Sequence, residues 1–318
     1  MRGFDPLKSF GPRVAEHYDD RPRGDEDDAV AFLARLAGSE PALEFAVGTG
    51  RIAVPLAERG IRVDGIELSE AMIERLRAKQ GAEAVGVVQG DMATASTGSR
   101  YGLVFLVYNT IFNLVTQEDQ VLCFQNAAAH LGDGGRFVVE AALPGPLYTM
   151  SAQYVDAEAV EVDRVVLDVG RYDRITQILD ESHVSISADG IRLTPLVTRF
   201  VWPAELDLMA RIAGLRLVER WGGWRGEPCT NDSPRHVSVY ARQRWQRRCT
   251  RGRSSEVLGA AARPTCNSSS DERRQAVADH GSYADRVDGV PSAGRRCTCS
   301  SSSSRSSRPG FSSSASST

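Results

Sequence analysis

The chain has 318 residues, of which 42% are hydrophobic and 25% charged, with a formal net charge of −3; these values are typical of a soluble globular protein with one large or two ordinary domains. No apolar run approaches the ~20 residues of a membrane span and no secretory signal opens the chain, so we expect a cytoplasmic protein that does not contact a membrane. The acidic balance argues against a nucleic-acid partner, which needs clustered positive charge, and the six cysteines show no metal-ligand spacing, so we expect no metal site.

Helical and strand patterns alternate between residues 25 and 143. After a Pro- and Gly-rich lead-in at residues 1–24, the pattern predicts helix 25–38, strand 42–46, helix 51–59, strand 61–68, helix 70–79, strand 84–91, strand 101–110, a helix from residue 116 and strand 136–143. Ser69 and Thr116 stand where helix N-caps are expected, and the residues GDGG at 132–135 are expected to end the last helix. Strands that alternate with helices predict a parallel sheet with helices on both faces.

The pattern changes after residue 143. Four alternating runs at 160–169, 172–180, 182–193 and 196–202 predict antiparallel strands inserted at 144–202. Pro203 then suits the first turn of a helix, and runs 215–221 and 236–242 complete seven strands of one α/β sheet. We therefore predict one domain over residues 1–243, with the insertion on its substrate side. Residues 244–318 contain 19 serines and few large apolar residues, a composition that predicts a disordered tail.

A glycine pair follows the first strand, in the stretch EFAVGTG. Gly48 and Gly50 fit a dinucleotide fingerprint, G-x-G-x-x-A, and they also fit the cofactor loop of a methyltransferase. Glu44 stands four residues before Gly48, where a dinucleotide-binding strand is usually apolar. An acid there suits a ligand with a positive or donating group, such as the sulfonium and α-amino groups of S-adenosylmethionine; the alternative is a turn cap or an exposed acid.

Two more acids follow the next two strands. Glu67 ends the second strand, where a carboxylate can accept both hydrogen bonds of a ribose diol; this position serves either cofactor. Asp91 and Met92 follow the third strand, where the acid can accept from an adenine amino group and the Met can pack on the ring; the alternative for Asp91 is an ordinary turn. Three acids at successive strand ends predict an adenosine ligand at the carboxyl edge of the sheet.

With these motifs in place, the sequence resembles the class I S-adenosylmethionine-dependent methyltransferases of small molecules, which have a Rossmann-like doubly wound sheet. The resemblance covers roughly residues 10–242 and rests on LEFAVGTGRIAVPLAERG, VDGIELSEAMIERLRAK, VVQGDMAT, AAAHLGDGGRFVVEA, WPAELDLMARIAGLRLVERW and SPRHVSVYAR. One departure is Ala46, where many members carry glycine. A methyl group is compatible with the loop if this position needs no positive φ.

The resemblance implies a role for each matching residue. Glu44, Ala46, Gly48, Thr49 and Gly50 would surround the methionine part of the cofactor, and Glu67 would hold the ribose. Leu68 and Met72 would lie near the adenine, and Asp91 and Met92 would flank the base. Tyr18 would close over the cofactor, and the segment YNTIFNL would face the transferable methyl group.

Methyl transfer from a sulfonium is an in-line displacement that positioning can accelerate without a dedicated base. The candidate catalytic residues are Tyr18, Tyr108, Asn109 and Asn113; the alternative for the asparagines is that they satisfy backbone groups at a turn. Other candidates for a base are His17 and His183. We expect the insertion at 144–202 to shape the acceptor pocket.

The predicted function is S-adenosylmethionine-dependent methyl transfer to a nitrogen or oxygen of a small molecule, by a monomer or a homodimer. One alternative is an NAD(P)-dependent oxidoreductase, although the chain has only Lys8 and Lys79 and so lacks the Tyr-x-x-x-Lys pair of one such class. The other alternative is a homologue that binds the cofactor without catalysis.

Overall fold

The computed structural model describes residues 1, 3–20, 22–145 and 152–243. The predicted tail at 244–318 lies outside the described residues. The helices are α1 (Pro6–Ser9), α2 (Pro12–His17), α3 (Glu26–Ala37), α4 (Ala53–Glu58), α5 (Glu70–Arg77), α6 (Gln117–His130) and α7 (Pro203–Ile212), with short 3-10 helices at Ala82–Ala84 and Thr110–Asn113. The strands are β1 (Ala42–Phe45), β2 (Val63–Glu67), β3 (Val85–Gln89), β4 (Tyr101–Leu106), β5 (Leu131–Ala142), β6 (Gln153–Val160), β7 (Arg164–Asp173), β8 (Ile178–Ser187), β9 (Gly190–Arg199), β10 (Leu215–Trp221) and β11 (Arg235–Arg242).

Seven of the described strands form one sheet in the order β10-β11-β5-β4-β1-β2-β3. The central strands pair in parallel; Glu44 of β1, for example, lies opposite Gly65 of β2 and Phe105 of β4. β11 is antiparallel to both β5 and β10. The predicted fold, a mostly parallel seven-stranded sheet with an antiparallel insertion before the last helix and two strands, is confirmed. The carboxyl ends of β1 to β4 meet at one edge of the sheet.

Both faces of the sheet are covered, as the apolar strands require. Successive side chains of β4 point to opposite faces: Val104 and Leu106 belong to a core with α6 and α7, whereas Leu103 and Phe105 belong to a core with α3 and α4. The predicted caps are also confirmed. The Ser69 hydroxyl accepts from the Met72 amide, and the Thr116 hydroxyl accepts from the Asp119 amide.

The second sheet, in the order β6-β7-β8-β9, is the insertion. Here some predicted boundaries are wrong. The runs 172–180 and 182–193 predict single strands, but each is a hairpin, because a regular alternation continues through the turn. In the first turn the Asp173 carboxylate accepts from the Ile175 amide, and Gln177 takes a positive φ of 61°. The strand at 153–160 was not predicted. Residues GDGG also lie within β5 and do not end α6, which stops at His130.

Among the described residues, no helix is long and apolar enough to cross a membrane.

Candidate active site

A cleft opens at the carboxyl edge of the main sheet, with an empty volume of about 790 Å³ that includes open solvent. Every strand from β1 to β4 contributes to it through the segment that follows the strand, and the lead-in covers it. The lining residues are Pro6, Phe10 and Tyr18 of the lead-in, Ala46 and Gly48 after β1, Ile66, Glu67, Leu68, Ser69 and Met72 along and after β2, Gly90, Asp91 and Met92 after β3, and Thr110, Asn113 and Leu114 after β4. An apolar cleft with a few polar groups at the carboxyl ends of parallel strands is typical of a small-molecule site.

The loop after β1 takes a left-handed backbone at three positions. Ala46, Gly48 and Gly50 have φ values of 51°, 56° and 77°. A Cβ on Gly50 would lie 2.9 Å from Leu76 of α5, so this glycine lets the loop pack on the helix. The condition under which a methyl group is compatible with the loop, that position 46 needs no positive φ, is not met. A residue with a Cβ costs about 1–2 kcal/mol in this conformation, so Ala46 stores local strain at the wall of the cleft.

Glu67 connects the loop after β1 to the start of α5. Its carboxylate accepts from the Gly48 amide at one oxygen and from the Ser69 amide at the other, each at 2.8 Å. Burial raises the pKa of Glu67, although these amides and that of Leu68 act in the opposite direction. A carboxylate oxygen has more than one lone pair, so Glu67, which lines the cleft, keeps acceptor capacity for a ligand.

Glu44 lies beneath the glycine loop and outside the lining of the cleft. Its side chain is buried, and one carboxylate oxygen has no hydrogen-bond partner among the described residues. Burial raises the pKa of Glu44 well above its ordinary value, against the opposing effects of Arg51 and of the Ala53 amide, while the nearby Glu67 raises it further. The protonated form of Glu44 is therefore favoured by the fold.

We expect Glu44→Gln to flatten the dependence of stability on pH. Because the folded-state pKa of Glu44 lies above its ordinary value of 4.5, the native state holds more protons than the unfolded chain above that pH, and stability falls as pH rises until the folded-state pKa is passed. Glutamine removes this fall. Urea unfolding of the wild type and the variant at several pH values between 4.5 and 8 measures the effect.

Glu74→Gln is the matched control, since Glu74 is an exposed residue of α5 and its substitution is expected to leave the pH profile unchanged. An identical pH slope in the wild type and Glu44→Gln would show that Glu44 ionises normally in the folded protein.

The lead-in is tied down across the cleft by three side chains. Thr49 donates to the Asp19 carboxylate at 2.7 Å, and Lys79 pairs with the same carboxylate at 2.8 Å. Ser69 donates to the carbonyl of Phe10 at 2.6 Å. These bonds hold Tyr18 in the lining. Thr49 is thus buried and faces the lead-in, and it does not line the cleft.

The loop after β4 also has an unusual backbone, because Tyr108 and Asn109 both take positive φ values, 55° and 61°. The Tyr108 amide donates to the Glu140 carboxylate at 2.8 Å, and the Asn109 side chain accepts from the Ala142 amide at 2.6 Å. Asn109 therefore satisfies a backbone group, the alternative considered for it. Consecutive left-handed residues other than glycine are typical of functional sites, and this turn delivers Asn113 to the cleft.

Arg23 contacts the lining residue Tyr18 from outside the cleft, and the sequence reasoning missed it. Its guanidinium lies over the ring of Tyr108 and donates to the Tyr18 hydroxyl at 3.3 Å. Its other terminal nitrogen, Nη1, is buried without a hydrogen-bond partner among the described residues. Burial lowers the pKa of Arg23, with Arg51 adding to the effect and the two tyrosines opposing it. No spacing in the lead-in distinguishes Arg23 from its neighbouring arginines, so only the folded structure could identify it.

The cleft brings together nine of the predicted site residues. They are Tyr18, Ala46, Gly48, Glu67, Leu68, Met72, Asp91, Met92 and Asn113. Glu44, Thr49, Gly50, Tyr108 and Asn109 lie just outside the lining and support it. Of the described histidines none lines the cleft; His17 pairs with Asp20, and His183 lies on the insertion, 2.5 Å from the Asp168 carboxylate.

A seven-stranded sheet of this order, with acids at successive strand ends and a cleft over a glycine loop, defines the class I S-adenosylmethionine-dependent methyltransferase fold. The comparisons with known proteins agree. Residues 42–135 match the family model described as a methyltransferase domain. The chain is 30% identical over 208 residues to the cypemycin N-terminal methyltransferase of a Streptomyces species, covering 63% of this chain and 82% of that one.

Solved structures of methyltransferases are also similar to this chain. The CcbJ methyltransferase from Streptomyces caelestis has a TM-score of 0.71 and 37% identity, covering 75% of this chain and 99% of that one. CalS10 from Micromonospora echinaspora, an amino pentose methyltransferase, has a TM-score of 0.55 and 23% identity over 73% of this chain and 97% of that one, a likeness that shows the fold. The chain belongs to the class I S-adenosylmethionine-dependent methyltransferases and is an enzyme of that family, which excludes the oxidoreductase alternative.

Proposed function

We propose that the enzyme binds S-adenosylmethionine in the cleft and methylates an amine nitrogen of a small molecule. The cofactor assignment rests on the position of Glu67, whose carboxylate accepts hydrogen bonds from two backbone amides at the edge of the cleft. The relative at 30% identity is named for N-terminal methylation, which supports nitrogen as the acceptor atom. That no described histidine lines the cleft also suits an acceptor that needs no base.

The residues of the cleft fit the parts of this cofactor. The spare acceptor capacity of Glu67 suits the ribose diol. Leu68 and Met72 supply apolar surface for the adenine, and Asp91 with Met92 can flank its amino group and ring. The space over Gly48 suits the methionine part, and the buried, unpartnered Nη1 of Arg23 suits its carboxylate, because a guanidinium pairs well with carboxylate oxygens. The residues proposed to contact the cofactor are Ala46, Gly48, Glu67, Leu68, Met72, Asp91 and Met92. Glu44, Thr49 and Gly50 support the loop.

When bound, the cofactor supplies a methyl group on a positively charged sulfur, which is already activated for displacement. The chain's contribution is then orientation and cover. Tyr18 and Phe10 close the cleft from the lead-in side. Thr110 and Asn113 face it from the segment after β4 and are placed to orient the acceptor. Holding two reactants in line can supply several kcal/mol of the barrier reduction.

The acceptor nitrogen must present its lone pair to the methyl carbon. The N–C bond forms as the C–S bond breaks, and the proton that the new ammonium group loses passes to solvent, so no side chain has to act as a base. An alcohol would need its proton removed during attack, which would require such a base. The lack of a described histidine in the lining therefore supports an amine over an alcohol as the acceptor.

The test has two separate readouts. Calorimetry with S-adenosylhomocysteine measures the cofactor site, with NAD as the negative control. Methylation assays then compare a panel of amines with the matched alcohols. We expect saturable binding of S-adenosylhomocysteine and methylation of amines; methylation of alcohols alone would overturn the nitrogen assignment, and binding of NAD alone would overturn the cofactor assignment.

The variant Asn113→Ala tests whether Asn113 orients the methyl acceptor. We expect kcat/KM to fall roughly tenfold, about 1.4 kcal/mol, while the affinity for S-adenosylhomocysteine stays within about twofold, since the cofactor contacts lie on the other strand ends. Asn231→Ala, in an exposed loop, is the control. Equal losses in binding and in kcat/KM would place Asn113 on the cofactor instead.

A further inference from the structure

The turn after β4 holds two adjacent residues in a left-handed backbone conformation. Tyr108 and Asn109 have φ values of 55° and 61°, and for a tyrosine this conformation costs about 1–2 kcal/mol. The turn leads directly into the 3-10 helix Thr110–Asn113, where the Phe112 amide donates to the carbonyl of Asn109 at 2.8 Å. The conformation of the turn therefore decides where Thr110 and Asn113 stand in the lining of the cleft.

Glu140 of β5 supplies acceptors for both amides of this turn. The Tyr108 amide donates to the Glu140 carboxylate at 2.8 Å, and the Asn109 amide donates to the Glu140 carbonyl at 3.2 Å. The Asn109 side chain accepts from the Ala142 amide of the same strand at 2.6 Å. A strained backbone persists only where the surrounding structure over-determines it. Here three hydrogen bonds to one strand do so, and two of the three end on Glu140.

The second oxygen of the Glu140 carboxylate connects the turn to the start of α3. The Glu140 side chain is 6% exposed, and its Oε1 accepts from Arg235 of β11 at 2.8 Å. Arg235 also pairs with Asp25, the N-cap residue of α3. On the other side of the turn, the guanidinium of Arg23 lies over the ring of Tyr108. Residues 23–25 therefore contact the turn directly through the Tyr108 ring and, through Arg235 and Glu140, at the Tyr108 amide.

We infer that Glu140 is a positioning residue for the proposed methyl transfer, because its carboxylate fixes the turn at residues 108–109 and the turn places Asn113 against the methyl acceptor. Glu140 does not line the cleft, so it acts through the turn. The role of Asn113 rests on the proposed function, whereas the link from Glu140 to the turn rests on the hydrogen bonds alone.

The chemistry of the site requires a carboxylate at position 140. Its two oxygens face two donors, the Tyr108 amide and the Arg235 guanidinium. A glutamine has a single acceptor atom, so its NH₂ group would face one of these donors. Because the side chain is buried, the donor left without an acceptor cannot turn to water without a shift of the turn or of Arg235. Glu140→Gln therefore disturbs the turn with a minimal change of volume.

Hydrogen exchange of the full chain, followed by mass spectrometry, tests the link to the turn without any reaction. We expect peptides covering residues 107–114 to exchange roughly tenfold faster in Glu140→Gln, because the turn opens more easily. Glu219→Gln is the matched control, since Glu219 is an exposed glutamate of β10 in the same sheet, and it should exchange as the wild type does. Unchanged exchange at 107–114 in Glu140→Gln would overturn the inference, and so would an equal acceleration throughout β4, which would indicate a general loss of stability.

Kinetics with an acceptor that the wild type methylates test the link from the turn to Asn113. We expect Glu140→Gln to lower kcat/KM roughly tenfold, with most of the fall in kcat, because misplaced reactants still bind but react slowly. The affinity for S-adenosylhomocysteine should stay within about twofold, and Glu219→Gln should change neither quantity.

A double variant shows whether Glu140 acts through Asn113. We expect Glu140→Gln combined with Asn113→Ala to lose about as much kcat/KM as Asn113→Ala alone. Independent losses would instead multiply to roughly 100-fold, and this result would overturn the inference. Methylation of alcohols alone by the wild type would overturn the amine assignment of the proposed function, while the coupling between Glu140 and Asn113, measured with the alcohol, would still support the positioning role.

Discussion

Glu67→Gln is expected to weaken the binding of S-adenosylhomocysteine by roughly 100-fold or more. The carboxylate accepts from the Gly48 and Ser69 amides at 2.8 Å each, and a glutamine offers only one acceptor atom for these two donors. Its amide nitrogen must face one N–H group, at a cost of about 1–3 kcal/mol for the buried donor left unpaired. The glycine loop or the start of α5 then shifts, and the proposed ribose acceptor loses its charge as well.

Two measurements separate the binding effect from a folding defect. Calorimetry gives the affinity for S-adenosylhomocysteine, and urea unfolding without ligand gives the stability, which we expect to fall by about 1–3 kcal/mol. Glu74→Gln, exposed on α5, should change neither. If Glu67→Ala bound S-adenosylhomocysteine as the wild type does, Glu67 would not hold the ribose.

The parts of the fold that the sequence predicts best are those with local causes. The Ser69 and Thr116 caps depend on a side chain and an amide three residues away, and the continuous burial of β1 follows from four residues in a row. The insertion was predicted less well, because its alternation runs through the turns of its hairpins.

The residues of the cofactor site that lie at strand ends could also be predicted from the sequence. Glu67, Asp91 and Met92 were expected at the cleft and line it, because parallel strands deliver their carboxyl ends to one edge. The positive φ of Ala46 and the place of Arg23 over Tyr108 depend on contacts between segments far apart in the chain. No local pattern contains that information.

The join between the insertion and the main sheet depends on one buried arginine. Arg199, at the end of β9, donates to the Gln120 side chain of α6 at 2.6 Å and pairs with Glu205 of α7 at 2.7 Å. Gln120 in turn donates to the carbonyl of Ile111 at 3.2 Å, in the 3-10 helix that carries Asn113. The network therefore ties the proposed acceptor end of the cleft to both helices beneath it.

Arg199→Ala is expected to lower the free energy of unfolding by about 3–5 kcal/mol, the range for removing one partner of a buried ion pair. Urea unfolding measures it. Arg225→Ala is the matched control: Arg225 pairs with Asp28 at the same 2.7 Å, but its side chain is 74% exposed where that of Arg199 is 5% exposed. Since water screens the exposed pair, its loss should cost less than about 1 kcal/mol.

The comparison between these two variants isolates the effect of burial on the contribution of an ion pair to stability, because the two pairs have the same distance in the wild type. A double-mutant cycle with Glu205→Gln then assigns the coupling to the Arg199–Glu205 pair. Similar small losses in Arg199→Ala and Arg225→Ala would mean that the network around Arg199 is open to water and does not hold the insertion. A large loss of unfolding free energy in Arg199→Ala alone would show that this buried arginine joins the two sheets. Slower turnover of the acceptor by the Arg199→Ala protein that still folds would show that Arg199 also sets the position of the segment that carries Asn113.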